Sequence, residues 1–142
     1  MLLDLISYFN SALLGAMLFF IIVVSPIVFS SLSSEQASKF LRVIFPRVFL
    51  FGFIISLFTV FGYYILALYT EMLFAITSSI LFFLNRNLLT PLINHHRDKG
   101  NGGEVISIKY FKALHLLSVI FFVINIIILI FLLLNITYKM FF

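Results

Sequence analysis

The chain has 142 residues, 63% of them hydrophobic and only 10% charged, with a mean hydropathy of +1.24. A soluble domain of this length cannot hide so much apolar surface; a bilayer accepts it, and at roughly 20 residues per helix four spans nearly fill the sequence. The net charge of +4 then reads as an orienting signal rather than a nucleic-acid surface, and the lack of cysteine removes disulfides, thiolate metal sites and a cysteine nucleophile.

Met1-Leu2-Leu3-Asp4 lacks the basic start of a signal peptide, so the first apolar run, 5–29, is expected to be a retained span. Ser7, Ser11, Gly15, Leu18, Ile22 and Ser25 share one helical face, mostly small, suited to close approach of a neighbouring helix. Pro26 falls in the last turns of this span, where a kink is tolerable. Ser33 and Gln36 have the spacing of a capping box. Ala37, Phe40, Leu41, Ile44 and Val48 then repeat at helical spacing, which predicts a short amphipathic helix lying in the headgroup layer. Pro46 is placed in the first turn of span two, 46–68. Gly52, Ser56, Thr59 and Tyr63 give that span a small or polar face, and Tyr63, Tyr64 and Tyr69 form an aromatic belt at its far end.

The connection at Tyr69-Thr70-Glu71-Met72 is so short that spans two and three, the latter at 73–92, must be antiparallel neighbours. Asp98-Lys99-Gly100-Asn101-Gly102-Gly103 reads as the heart of a flexible polar loop over 95–104. The last apolar segment, 105–138, is too long for one upright span. Its first two turns, carrying Lys109 and Lys112, are expected to project before span four, 112–137. No internal repeat beyond helix–hairpin–helix is legible. The expected fold is all-α: an integral membrane antiparallel four-helix bundle, one domain, with a short amphipathic interfacial helix between spans 1 and 2.

Four spans put the first and third connections on one side and both termini on the other. Lys39, Arg42, Arg47, Arg86, Arg97, Lys99, Lys109 and Lys112 all belong to the first side, and Lys139 alone to the second. The bias predicts an inner-membrane protein with loops 30–45 and 93–111 cytoplasmic and both termini outside. Lys39, Arg42, Arg47, Arg97, Lys99, Lys109 and Lys112 are read as topology anchors, without the fold or aromatic platform of a nucleic-acid binder.

Arg86 lies six residues inside span three, about 9 Å below its boundary at 1.5 Å per residue. At that depth a guanidinium either snorkels to the headgroups or holds an anion in a cleft, flanked by Asn85 and Asn87. His115, Ser118, Phe122 and Asn125 share one face of span four, and a polar stripe in a hydrocarbon span faces other helices. Either these groups set the helix packing, or Asn85, Arg86, Asn87, His115, Ser118 and Asn125 together line one polar cleft in the inner leaflet. His115 is the sole histidine within a span, and adjacent His95 and His96 diverge by about 100° on a helix, so no chelating pair is predicted. No metal, haem or other cofactor is expected, with His115 the weak metal candidate. No serine–histidine–acid set, phosphate loop or mid-membrane acid appears, so the reading leans away from an enzyme and from a proton-driven transporter.

Ser25-Pro26-Ile27-Val28-Phe29, Ile44-Phe45-Pro46-Arg47-Val48-Phe49, Leu84-Asn85 with Thr90-Pro91, and Tyr110-Phe111-Lys112-Ala113-Leu114-His115-Leu116-Leu117-Ser118 with Asn125 follow one another in order. In this order the chain resembles the transmembrane protein 205-like family, also called domain of unknown function 4149. The resemblance covers almost the whole chain and implies a four-helix membrane protein of unassigned activity. By it Pro46, Asn85, His115 and Ser118 fall on motif positions, while Arg47 stands where an aromatic is more usual. Lys112-Ala113-Leu114-His115 is more distantly similar to HemJ-type protoporphyrinogen oxidases and CopD-like copper proteins, whose further ligands within the spans this sequence does not show. The leading expectation is a non-enzymatic packing or binding protein whose partners are a membrane lipid and a second copy or another membrane protein, with an anionic lipid or amphiphile in the cleft. A haem- or copper-associated redox protein and a small transporter or channel are the alternatives.

Overall fold

The computed structural model describes residues 1–141, and every regular element among them is helical. The α-helices are α1 (Leu2–Phe19), α2 (Ser25–Ser31), α3 (Ser34–Ile65), α4 (Tyr69–Leu84), α5 (Thr90–Asn101) and α6 (Val105–Phe141). Two five-residue π turns, Phe20–Val24 and Asn85–Leu89, join α1 to α2 and α4 to α5. The result is four rods of 30 to 35 residues, each long and apolar enough to cross a membrane. At about 1.5 Å per residue they exceed the ~30 Å hydrocarbon layer, so each is long enough to reach beyond it. The protein is an integral membrane four-helix bundle.

Three tight connections, 32–33, 66–68 and 102–104, make sequential rods antiparallel. The first closes with the predicted capping box: Gln36 N donates to Ser33 Oγ at 3.3 Å, and Ser33 N to Gln36 Oε1 at 3.1 Å. Ser33→Ala should therefore cost about 1 kcal/mol, read as a lower melting midpoint in detergent, whereas Ser30→Ala should leave that midpoint unchanged.

Two extensions are more regular than their sequences suggest. The amphipathic stretch 34–45 runs through Pro46 into span two as one 32-residue helix. Its apolar residues Ala37 and Leu41 are buried against Phe20 and Val28, so the helix is fixed by protein contacts as well as by any membrane surface. The flexible loop expected over 95–104 is also corrected. α5 carries the helix through His95, His96, Arg97, Asp98 and Lys99 to Asn101, and only 102–104 turn. The cause is tertiary: Arg42 on α3 grips Asp98, Arg97 donates to Ser38, and Ile93 is buried at the foot of α5. Gly103, at φ +97°, then makes the left-handed step that glycine alone takes without strain.

Each π turn ends two residues before a proline, with Ser25 before Pro26 and Thr90 before Pro91. Proline lacks a donor and its ring crowds the carbonyl four residues back, and the extra residue of a π turn relieves both. In the second turn Asn85 O accepts both Thr90 N–H and, at 2.7 Å, Thr90 Oγ1. Phe20 is separated from Asn85 by the same interval as Pro26 from Pro91. Both halves of the chain thus repeat one order: helix, π turn, proline-opened helix, turn, long helix. This corrects the absence of a repeat in the sequence reading, which compared residue types rather than helical defects.

The rods form a ring in which α1 meets α3 and α6, while α4 meets α3 and α6. Leu13, Met17, Phe49, Phe82, Phe122 and Leu129 fill its middle; Ile6, Tyr63, Ala75, Leu132 and Ile136 close the end that carries the termini. At the opposite, basic end the ring is open. There α2 touches α3 but shares no contact with α6. The small-residue face of α1 does not pack against a neighbour within the chain: Ser11 and Gly15 are exposed on the outer surface.

Candidate functional site: a basic cavity with an apolar body

Where α2 and α6 part, a cavity of about 1480 Å³ lies between α2 with the first half of α3 and α5 with the first half of α6. Its mouth carries Lys39, Arg42, Arg97 and Lys112; its depth is walled by Phe20, Phe45, Phe49 and Phe122. Cations above and aromatic rings below give the cavity the polarity of an amphiphile.

The four cations are not equivalent. Lys39 pairs with Glu35 at 2.7 Å, one turn away and largely in the open, an ion pair of small consequence. Arg42 is held by both carboxylate oxygens of Asp98, with Nη1 to Oδ2 at 3.1 Å, which ties α3 to α5 in the fork geometry that guanidinium favours. Arg97, by contrast, is half-buried and makes no ion pair among the described residues; the neighbouring Asp98 acts on it only through its field while pairing with Arg42. Arg97 Nη1 donates to Ser38 Oγ at 2.9 Å, and its guanidinium carbon sits 5.0 Å from the centre of the Phe111 ring. Phe111 in turn stacks on His115, centroids 5.9 Å apart and planes 9° from parallel. Lys112, on the same turn of α6, also lines the mouth and shows no acid partner among the described residues.

The residues expected to form one cleft are divided. His115 and Ser118 line the cavity. Asn85 lies beneath its floor, 0% exposed, where Nδ2 donates to the Ser118 carbonyl at 3.3 Å and fastens α4 to α6. Asn125 sits two turns deeper: its Oδ1 accepts from Ser78 Oγ at 2.7 Å, and Ser78 meets Ser56 at 3.3 Å, a clasp across three helices. Asn85 Oδ1 and Asn125 Nδ2 have no hydrogen-bond partner. Arg86 and Asn87 are turned out of the cavity; Arg86 Nη1 donates to Asn87 Oδ1 at 3.3 Å and Asn87 Nδ2 to the Phe83 carbonyl at 3.2 Å. Three consecutive residues on a helix point about 100° apart, so Asn85, Arg86 and Asn87 cannot serve one cleft.

Sequence reasoning placed Arg97, Arg42, Lys39 and Lys112 among the anchors and overlooked them as a lining. The signal was available: Ile93, His96, Arg97 and Gly100 recur at helical spacing, but the glycine-rich run masked it. Also overlooked was a buried ion pair at the other end. Glu71, 1% exposed, accepts from Asn135 Nδ2 at 2.7 Å and from Lys139 Nζ. Nearby, Asn10 Nδ2 donates to the hydroxyl of Tyr63 at 2.9 Å.

Among the described residues no group of three or more histidine, aspartate or glutamate side chains is placed to hold a metal ion. His96 Nδ1 lies 3.3 Å from Ser107 Oγ, and its ring faces Tyr110. His115 is engaged by Phe111.

Compared with known families, residues 8–102 match the profile of a domain of unknown function, DUF4149. The chain belongs to this family. The DUF4149 match runs from α1 through the end of α5, covering both π turns, Arg42 and Arg97. The α6 side of the cavity, with Lys112, His115 and Ser118, follows it. Neither the curated proteins nor the solved structures contain a match to this DUF4149 chain.

Proposed function

We propose that this protein binds one anionic lipid or amphiphile in the cavity at its basic end. The carrying observation is Arg97: a half-buried guanidinium at the mouth of an aromatic-walled cavity, reached by the field of Asp98 but not paired with it, because Asp98 is committed to Arg42. A phosphate or carboxylate headgroup supplies the missing anion, with Lys112 beside it, while the tail lies along Phe45, Phe49 and Phe122. The parting of α2 and α6 gives that tail a sideways route from the bilayer. In this reading the cavity opens to the cytoplasmic leaflet and both termini lie outside, which the excess of cations at this end supports. Binding without covalent chemistry is the activity in this reading.

Native mass spectrometry of chains released from vesicles of phosphatidylglycerol or phosphatidylcholine tests it. The wild type should retain phosphatidylglycerol, and Arg97→Gln with Lys112→Gln should lower that occupancy about tenfold or more, the loss of one or two charge-assisted hydrogen bonds. Equal retention by the variant sinks the reading.

A further inference from the structure

A second cation stands apart from the cavity. On the other face of the bundle, between α3 and α4, Phe53, Leu57, Val60, Ile76, Ile80 and Phe83 line an apolar groove of about 260 Å³ open to the bilayer. The groove spans about two helical turns, or some 10 Å, and narrows toward the basic end where the rings of Phe53 and Phe83 stand 5.7 Å apart. Three residues beyond Phe83 along the same helix comes Arg86.

The surroundings of Arg86 leave its charge unanswered. Its Nη1 donates to Asn87, its Nε is buried without an acceptor, and no acid pairs with it among the described residues. Nε is closed off from an incoming group, so the part-exposed terminal nitrogens, engaged only by an amide oxygen, are the ones that an anionic oxygen can reach. The opposing helix brings a second guanidinium to the same level. Gly52 faces Phe82 and Ser56 faces Ser78, a register that sets residue 47 opposite residue 87. Arg47 is exposed there, its Nη1 donating to the Val43 carbonyl at 3.1 Å, and it too lacks an acid partner among the described residues.

We infer that this groove is a second lipid site, taking an anionic phospholipid from the leaflet at the basic end. Its phosphate lies on Arg86, with Arg47 at the same height about 120° round α3 adding to the positive field, and one acyl chain follows the groove past Phe83 and Ile80. Charge selects the occupant: a neutral headgroup leaves the Arg86 guanidinium uncompensated, and a phosphate diester answers it. The site is independent of the cavity and does not require it to bind anything.

The same native mass spectrometry, with phosphatidylglycerol against phosphatidylcholine, tests this separately. The expected result is two retained phosphatidylglycerol molecules per wild-type chain, and loss of one in Arg86→Gln. The remaining molecule should be the one that Arg97→Gln removes. Arg86→Lys, which keeps the charge but not the planar fork, should also weaken retention, by about tenfold. If Arg86→Gln fails to insert, Ile80→Trp fills the groove and should remove the same lipid without touching the cations. Undiminished retention in a folded Arg86→Gln chain, or in Ile80→Trp, overturns the inference, as does equal retention of phosphatidylcholine.

Discussion

Lys139→Met should destabilise the protein by about 3–5 kcal/mol, far more than its place near the end of α6 suggests. The reason lies in its partner. Glu71 is almost wholly enclosed, and among the described residues the cation that pairs with it is Lys139, with Asn135 supplying a single hydrogen bond. Removing the ammonium leaves a buried carboxylate near Tyr63 with no cation to balance it. Glu71→Gln alone should cost much less, because Lys139, still 39% exposed, can turn to water and the amide keeps an acceptor for Asn135. The double variant should recover most of what Lys139→Met loses. Denaturation of the four chains in one detergent measures the cycle; Lys139→Met no less stable than Glu71→Gln would contradict the buried pair.

Phe82→Ala should cost a similar ~3–5 kcal/mol, from lost packing and the void left behind. Its ring is 0% exposed and lies against Gly52, where an added Cβ would come within 2.6 Å of it. The glycine and the ring are one joint, and they should behave as one. Gly52→Ala in the wild type should be destabilising by about 1–3 kcal/mol through overpacking. In the Phe82→Ala background the same change has no ring to strike, and it should become neutral or mildly stabilising, since alanine is the better helix former by roughly 0.5–1 kcal/mol. Additive effects in this pair would refute the close contact of α3 and α4.

The number and direction of the rods are legible in the sequence because bilayer thickness dictates the length of an apolar run. The capping box at Ser33 is legible because it is local. The helical extensions are harder to see: residues 34–45 and 94–101 are polar enough to resemble connections, and only Asp98 meeting Arg42, or Ala37 meeting Val28, shows that they persist. The site divides in the same way. His115 and Ser118 could be found from spacing along α6. Arg97 could not, since hydropathy treats every cation at a span end alike, and what sets Arg97 apart is that Asp98 pairs directly with Arg42 and not with it. Glu71 looks like a boundary residue until the end of α6 folds over it.

The uneven fastening of the basic end decides where it can yield. α3 and α5 are stapled by Arg42 to Asp98 and by Ser38 to Arg97, so separating them breaks polar bonds. α2 is held by apolar side chains alone, chiefly Val28 against Ala37 and Leu41, and stands beyond the turn Phe20–Val24, whose hydrogen-bond ladder is already out of step. Mechanical compliance is therefore concentrated in one short arm. A guest of varying girth would be accommodated by swinging that arm outward, with the charged mouth keeping its shape.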